Sequence, residues 1–205
     1  MNEMLQKTAA ALRGRGYDVT VVSSAEEARD FIANDVPEGQ EVGIGGSETA
    51  YQLGIADALR ERGHAVHWHR GVPAAQAVAI RRAALLSPNY LSSANAVTED
   101  GLIMQIDGTG NRTAAICYGP STVYLAVGRN KIVSGGYQEA MRRIKEVACP
   151  KYARRQGLDT PCAKAGGACR PLECAHSMCH ITASFERAPG GKRTVVLLID
   201  EDLGY

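Results

Sequence analysis

Val42-Gly43-Ile44-Gly45-Gly46-Ser47-Glu48-Thr49 reads as a short strand that runs through paired glycines into a helix. Working outward from this junction, the same alternation repeats. Upstream, Met4, Leu5, Ala9 and Leu12 make a helical stripe stopped by Gly14 and Gly16. Tyr17–Val22 then reads as a strand, and Ser24 as the cap of a helix over Ala25–Ile32 with acids in its first turn. Downstream, Glu48–Arg62 is an amphipathic helix ended by Gly63, His64–Trp68 is strand-like, and Pro73–Leu86 is a helix with a proline start. Asn89–Ser92, Leu102–Ile106 and Thr122–Val127 supply further strands, Gln138–Val147 a helix, and Thr194–Ile199 a buried closing strand. Strands separated by helices specify an α/β fold, a largely parallel sheet with helices on both faces.

The glycine turn has chemistry of its own. A strand entering a helix through Gly45 and Gly46 leaves backbone N–H groups and the positive helix end aimed at one spot, which suits a phosphate or carboxylate. Neither glycine has a Cβ to obstruct a ligand, and Ser47 caps the helix or offers its hydroxyl. An ordinary tight turn is the alternative. The P-loop and GxGxxG patterns are both missing, so nucleotide binding is not indicated.

With 205 residues, a net charge of +1 and a pI near 7.6, the chain is one sizeable domain with no basic block, and it gives no support to nucleic-acid binding. The N-terminus lacks the pattern of a signal peptide, and the longest aliphatic run, Val195–Ile199, is too short to span a membrane. A cytoplasmic location is expected. In a reducing compartment, clustered cysteines favour metal or redox chemistry over structural disulfides.

Such a cluster is present. Cys162, Cys169, Cys174 and Cys179 fall in PCAKAGGACRPLECAHSMCH, spaced C-x6-C-x4-C-x4-C, with His176 and His180 among them. The stretch has no apolar periodicity, so a metal is the expected organiser: zinc or an iron–sulfur cluster, both of which take these donors. Disulfides or unrelated thiols are the alternatives. The expected organisation is an α/β domain over 1–149, a metal-binding segment over 150–191, and a closing strand over 192–205 that rejoins the main sheet. Cys149 is a fifth ligand or a spare, and Cys117, in AAICYGP, is expected to be a buried thiol.

The densest polar tract is the centre, SSANAVTEDG (92–101) followed after a short strand by DGTGNR (107–112). Turn chemistry accounts for the glycines. It does not account for Asn95, Thr98, Glu99, Asp107, Asn111 and Arg112 flanking one strand, a set suited to a polyol, hydroxy acid or acyl group. Glu99 or Asp107 is the candidate general base, and Thr109 or Asn111 a helix cap. In GRNK, Arg129 and Lys131 follow a strand and either meet a carboxylate or sit in solvent. In HAVHWH, His67 and His69 share a strand face, which allows a second metal site, though a half-exposed sheet edge is the plainer reading.

Together VGIGGSET, SSANAVTEDG, QIDGTGNR, YGP, VGRNKIV, the cysteine segment and DEDLGY resemble the lactate-utilisation (LUD) domain family over nearly the whole chain. That family is similar in turn to the fold of glucosamine-phosphate isomerases, ribose-5-phosphate isomerase and CoA transferases. The resemblance implies a role in oxidising lactate to pyruvate beside iron–sulfur partner proteins. By position it implies an anion site at Gly45, Gly46, Ser47 and Thr49. The pocket would be lined by Asn95, Glu99, Asp107, Thr109, Asn111 and Arg112, and the cysteine-bearing tail at Cys162, Cys169, Cys174 and Cys179 would carry an iron–sulfur cluster, with zinc the alternative.

Three functions are compatible with these residues. The first is a redox component that binds a small carboxylate or a partner. The second is a stand-alone isomerase- or acyl-transfer-type enzyme on a small phosphorylated or acyl substrate, with structural zinc. The third is a non-catalytic ligand-binding subunit.

Overall fold

The computed structural model describes residues 2–205. Its centre is a six-stranded sheet, parallel throughout, made of β1 (Asp18–Val22), β2 (Val42–Ile44), β3 (Val66–Trp68), β4 (Asn89–Ser92), β7 (Thr122–Gly128) and β10 (Arg193–Ile199). The order across it is β1-β10-β7-β4-β2-β3, so the last strand in sequence is inserted between β1 and β7. The remaining strands, β5 (Ala96–Thr98), β6 (Ile103–Asp107), β8 (Ile132–Val133) and β9 (Ile181–Phe185), form a smaller mixed sheet ordered β8-β5-β6-β9.

Alternation along the central strands divides the core. Val123, Leu125 and Val127 of β7, with Val196 and Leu198 of β10, pack with Leu5, Ala9 and Leu12 of α1 (Glu3–Gly14) and with Ala115 and Ile116 of α6 (Asn111–Cys117). Tyr124, Ala126, Val195, Leu197 and Ile199 face the other way. They meet Ala28 and Ile32 of α2 (Ala25–Asp35), Ala50 of α3 (Glu48–Gln52) and Ile55 and Leu59 of α4 (Ile55–Glu61). A largely parallel sheet with helices on both faces is what the sequence specifies. The smaller sheet packs Ala96, Met104 and Ile106 against Ala140 of α7 (Tyr137–Arg143) and against Ile144 and Ala148 of the π-helical stretch Ile144–Ala148 that follows.

The sequence reading and the structure part at several elements. The single helix expected over Glu48–Arg62 is two, α3 and α4, because Gly54 takes a left-handed conformation (φ +64°) between them. The helix expected to end at Val147 continues into α8 (Cys149–Arg155). Pro150 falls in the first turn of α8, directly after the π-helical stretch Ile144–Ala148, where the hydrogen-bonding register changes. Within 150–191, β9 pairs antiparallel with β6, from Ile181 opposite Asp107 to Phe185 opposite Ile103, and so ties the end of the cysteine segment to the body. Gly157–His180 holds only two single 3-10 turns. No helix among the described residues is long and apolar enough to cross a membrane.

Candidate functional site

The carboxyl ends of β2, β3, β4 and β7 lead into one cavity of about 800 Å³, whose lining includes Gly46, His69, Ser93 and Lys131, each just beyond one of these strands. Ligands of open parallel sheets collect at this edge. The glycine turn forms one wall. Gly43, inside β2, lies so close to the helix α5 (Ala74–Leu86) that a Cβ would stand 2.1 Å from the Ala84 carbonyl oxygen. At Gly45 the space is taken by Arg112 Cγ and Tyr90 Oη, 2.8 and 2.9 Å from where a Cβ would be, so the side chain admitted there is Arg112. Gly46 and Ser47 do line the cavity, with Gly46 opposite His69. Ser47 caps α3, its Oγ accepting from the Ala50 amide at 3.1 Å. Thr49 is buried behind this wall.

The segment after β6 forms a second wall. Asp107 is buried and fully engaged: Oδ1 accepts from Arg112 Nε at 2.6 Å, and Oδ2 accepts from the Thr113 amide and hydroxyl at 2.8 Å each. Burial opposes its ionisation, but the Arg112 charge and the Thr113 bonds outweigh it and hold the carboxyl below its ordinary value. Arg112 also donates to the Ile106 carbonyl at 2.6 Å. Thr109 Oγ1 donates to Asn111 Oδ1 at 2.8 Å, and Asn95 Oδ1 accepts from the Ile106 amide at 2.8 Å. Asn95, Asp107, Thr109, Asn111 and Arg112 all line the cavity. Glu99 does not. It ties α1 to the loop after β8, accepting from Lys7 Nζ at 2.6 Å and from the Ser134 hydroxyl.

The floor holds groups less visible in the sequence. Lys131 is 4% exposed, its Nζ donating to Thr49 Oγ1 at 2.7 Å and Ser93 Oγ at 2.8 Å. Burial, with the Arg143 and Arg112 charges nearby, lowers its pKa well below the ordinary lysine value. His69 Nδ1 and Arg81 Nε are buried at the cavity with no partner. Burial, then the neighbouring Arg81 and Arg112, lowers the His69 pKa and favours neutral imidazole. Arg70 and Arg155 instead converge on Glu48, Arg70 at 3.0 Å. The cavity therefore presents an excess of donors and positive charge, the setting an anion needs. Its contributors come from separate loops and from helix α5, and among these floor groups the sequence singled out Lys131, from its place after a strand, and His69, as one of the HAVHWH histidines.

Cysteines make the remaining wall. Cys162, Cys169, Cys174 and Cys179 line the cavity, and so does Cys149 from the start of α8. The sulfurs of Cys149 and Cys179 lie 3.4 Å apart in hydrogen-bonding contact. That contact, helped by Lys145, makes Cys179 the more acidic, at about 6, while the same contact and burial push Cys149 up. The donor chemistry suits a thiophilic metal or an iron–sulfur cluster. Among the described residues, however, no three His, Cys, Asp or Glu side chains converge to coordinating distance. The wall is a donor set rather than a formed metal site. His180 is engaged with the carbonyls of Gly108 and Ser177.

Two side expectations fall differently. The HAVHWH histidines scatter: His64 is buried against the Gln40 carbonyl, His67 pairs with Glu41 at 3.0 Å on edge strand β3, and His69 turns into the cavity. Cys117, expected to be buried, is exposed, because the last turn of α6 buries Ala115 and Ile116 and turns the next side chain outward.

Residues 5–199 match the LUD domain family. Among solved structures, a DUF162 family protein from Deinococcus radiodurans is similar in fold, at 16% identity and a TM-score of 0.56, with 96% of each chain covered. No curated protein matches the chain.

Proposed function

The chain belongs to the LUD domain family, and from that premise we propose that it serves the oxidation of lactate to pyruvate as a redox component. In this reading it binds a small carboxylate in the cavity, carries a cysteine-bound metal group beside it, and works with iron–sulfur partner proteins. One observation carries the reading: the donor-rich floor and five thiols line the same cavity. Cys149, Cys162, Cys169, Cys174 and Cys179 are the residues that would hold the group, and an iron–sulfur cluster there would supply one-electron transfer.

The chain's own residues have separable tasks. Asp107 and the Ile106 carbonyl fix Arg112, so its guanidinium is aimed before a ligand arrives. His69 and Arg81 offer buried nitrogens that nothing else engages. Asp107, bound on both oxygens, suits a positioning residue better than a general base.

A second reading has its own support. The 3.4 Å between Cys149 and Cys179 Sγ is close to the edge of a tetrahedron with Zn–S bonds of about 2.3 Å, roughly 3.8 Å. It fits two thiolates on one tetrahedral metal such as a structural zinc, the group that the isomerase- or acyl-transfer-type reading would carry. Anaerobic purification with analysis for iron, zinc and acid-labile sulfide, followed by calorimetric titration with L-lactate and pyruvate, tests both. Iron with sulfide and a bound carboxylate are expected. Zinc alone would transfer the case to the second reading, and neither metal nor carboxylate would overturn both.

A further inference from the structure

Lys131 closes the single 3-10 turn Arg129–Lys131 after β7 and lines the cavity, yet it forms no ion pair with a carboxylate among the described residues. Its hydrogen bonds can be counted. Thr49 Oγ1 directs its proton to the Leu203 carbonyl at 3.4 Å, and Ser93 Oγ directs its proton to the Ala126 carbonyl at 2.5 Å. Both hydroxyls therefore meet Lys131 as acceptors. A neutral amine has two N–H bonds, which these acceptors use, and one lone pair, which they leave free. An ammonium would carry a third N–H with no acceptor among the described residues. The nearest charges oppose protonation as well: Arg143 and Arg112 are both cationic, and each is already engaged, Arg143 with the Asn130 and Asn95 carbonyls and Arg112 with Asp107.

A desolvated lysine near other cations is the arrangement that turns this side chain into a nucleophile toward carbonyl carbon. We propose that Lys131 forms an imine with a small 2-oxo acid bound in the cavity. This rests on the reading of the cavity as a carboxylate site, and adds to it the carbonyl chemistry and the residue that performs it.

In the step, the Nζ lone pair attacks the carbonyl carbon, forming the C–N bond while the carbonyl π pair moves to oxygen. Both amine protons pass to that oxygen, the C–O bond breaks, and one water leaves as the C=N bond closes. No oxidant or reductant is consumed. Thr49 and Ser93 hold the nitrogen in place as acceptors. His69 Nδ1 and Arg81 Nε are the unengaged nitrogens in the lining that could meet the carboxylate.

The test is reductive trapping on the full chain. Protein is incubated with pyruvate or glyoxylate, treated with borohydride, and digested for mass spectrometry, while binding of the same acids is measured by calorimetry without reductant. One secondary-amine adduct per chain, mapped to Lys131, is expected. L-Lactate, which lacks the carbonyl, should leave no adduct, and Lys131→Arg should lose the label. Site mapping on the unmodified chain keeps the test decisive even if the variant folds poorly. Binding without an adduct, or label spread evenly over the lysines, would overturn the imine and leave the carboxylate site standing. No binding of either acid would overturn the imine together with the reading beneath it.

Discussion

Arg112 is held by Asp107, whose Oδ1 accepts from its Nε at 2.6 Å, and the carboxylate's other oxygen is taken by Thr113. The pair joins the end of β6 to the first turn of α6 and points a guanidinium into the cavity, so stability and binding share one linkage. Asp107→Asn leaves a largely buried guanidinium uncompensated. The expected cost is about 3 kcal/mol, at the lower end for a broken buried pair because the Arg112 side chain keeps 18% exposure. In a domain of this size that lowers Tm by about 6–12 °C. Calorimetry should show carboxylate affinity falling with it. Turnover lost with Tm and affinity retained would instead make Asp107 a base.

The same carboxylate sets a pH dependence. Its folded pKa lies below the ordinary 3.8, the Arg112 charge and the Thr113 bonds outweighing the effect of burial. A depressed carboxyl contributes stability that is complete above the unfolded value and lost as pH falls through the folded one, because the unfolded chain takes up the proton first. Urea midpoints of the parent chain and Asp107→Asn should differ by a constant amount near neutrality and converge only below about pH 3.8. Convergence between pH 5 and 7 would contradict the assignment.

Glu99 is the control. It holds Lys7 and Ser134 away from the cavity, and these bonds lower its pKa, so it is ionised but remote. Glu99→Gln should leave lactate and pyruvate affinities unchanged and soften only the contact between α1 and the loop after β8, seen as faster amide exchange there. A collapse of binding or turnover would restore it to the site.

What the sequence made legible follows from periodicity. Residues 123–127 and 195–199 alternate between two apolar cores, so those strands and their two-sided cover could be read directly. The amphipathic stripe of 48–62 continues across Gly54, which is why one helix was expected where the chain makes two. Strand β9 escaped notice because four of its five residues stay partly or fully exposed, and its existence depends on the edge offered by β6. In the site, the turn glycines and the 107–112 segment announced themselves by composition. Arg81 did not, and His69 stood out only as a strand-edge histidine, since only the fold brings the two to one cavity. Glu99 and Asp107 looked equivalent as acids, and what separates them is which end of β6 each occupies.

The two glycines of the strand and turn should respond oppositely to substitution. A Cβ on Gly43 would stand 2.1 Å from backbone oxygen of α5, which cannot yield without moving the helix, so Gly43→Ala should unfold the domain or leave it insoluble. A Cβ on Gly46 would meet His69 Nε2 at 3.4 Å, an ordinary contact. Gly46→Val should therefore keep its unfolding midpoint while narrowing the cavity and weakening anion binding. Unaltered affinity in folded Gly46→Val would remove the turn from the binding site.

The thiol wall separates metal binding from folding. Cys149 and Cys179 approach from α8 and from the residues just before β9, and a metal bridging them would fasten the irregular stretch between those elements to the body. Serine keeps the size but lacks the soft thiolate donor, so Cys149→Ser, Cys174→Ser and Cys179→Ser should each lose metal. Protease sensitivity should rise within 157–180, while the central sheet keeps its amide protection. Cys117→Ser, on the exposed end of α6, should retain full metal content and serves as the reference for handling losses. Metal content unchanged in Cys149→Ser but lost in Cys174→Ser would restrict the donors to the four clustered cysteines. Content unchanged in all three would place the metal elsewhere and leave this wall as free thiols.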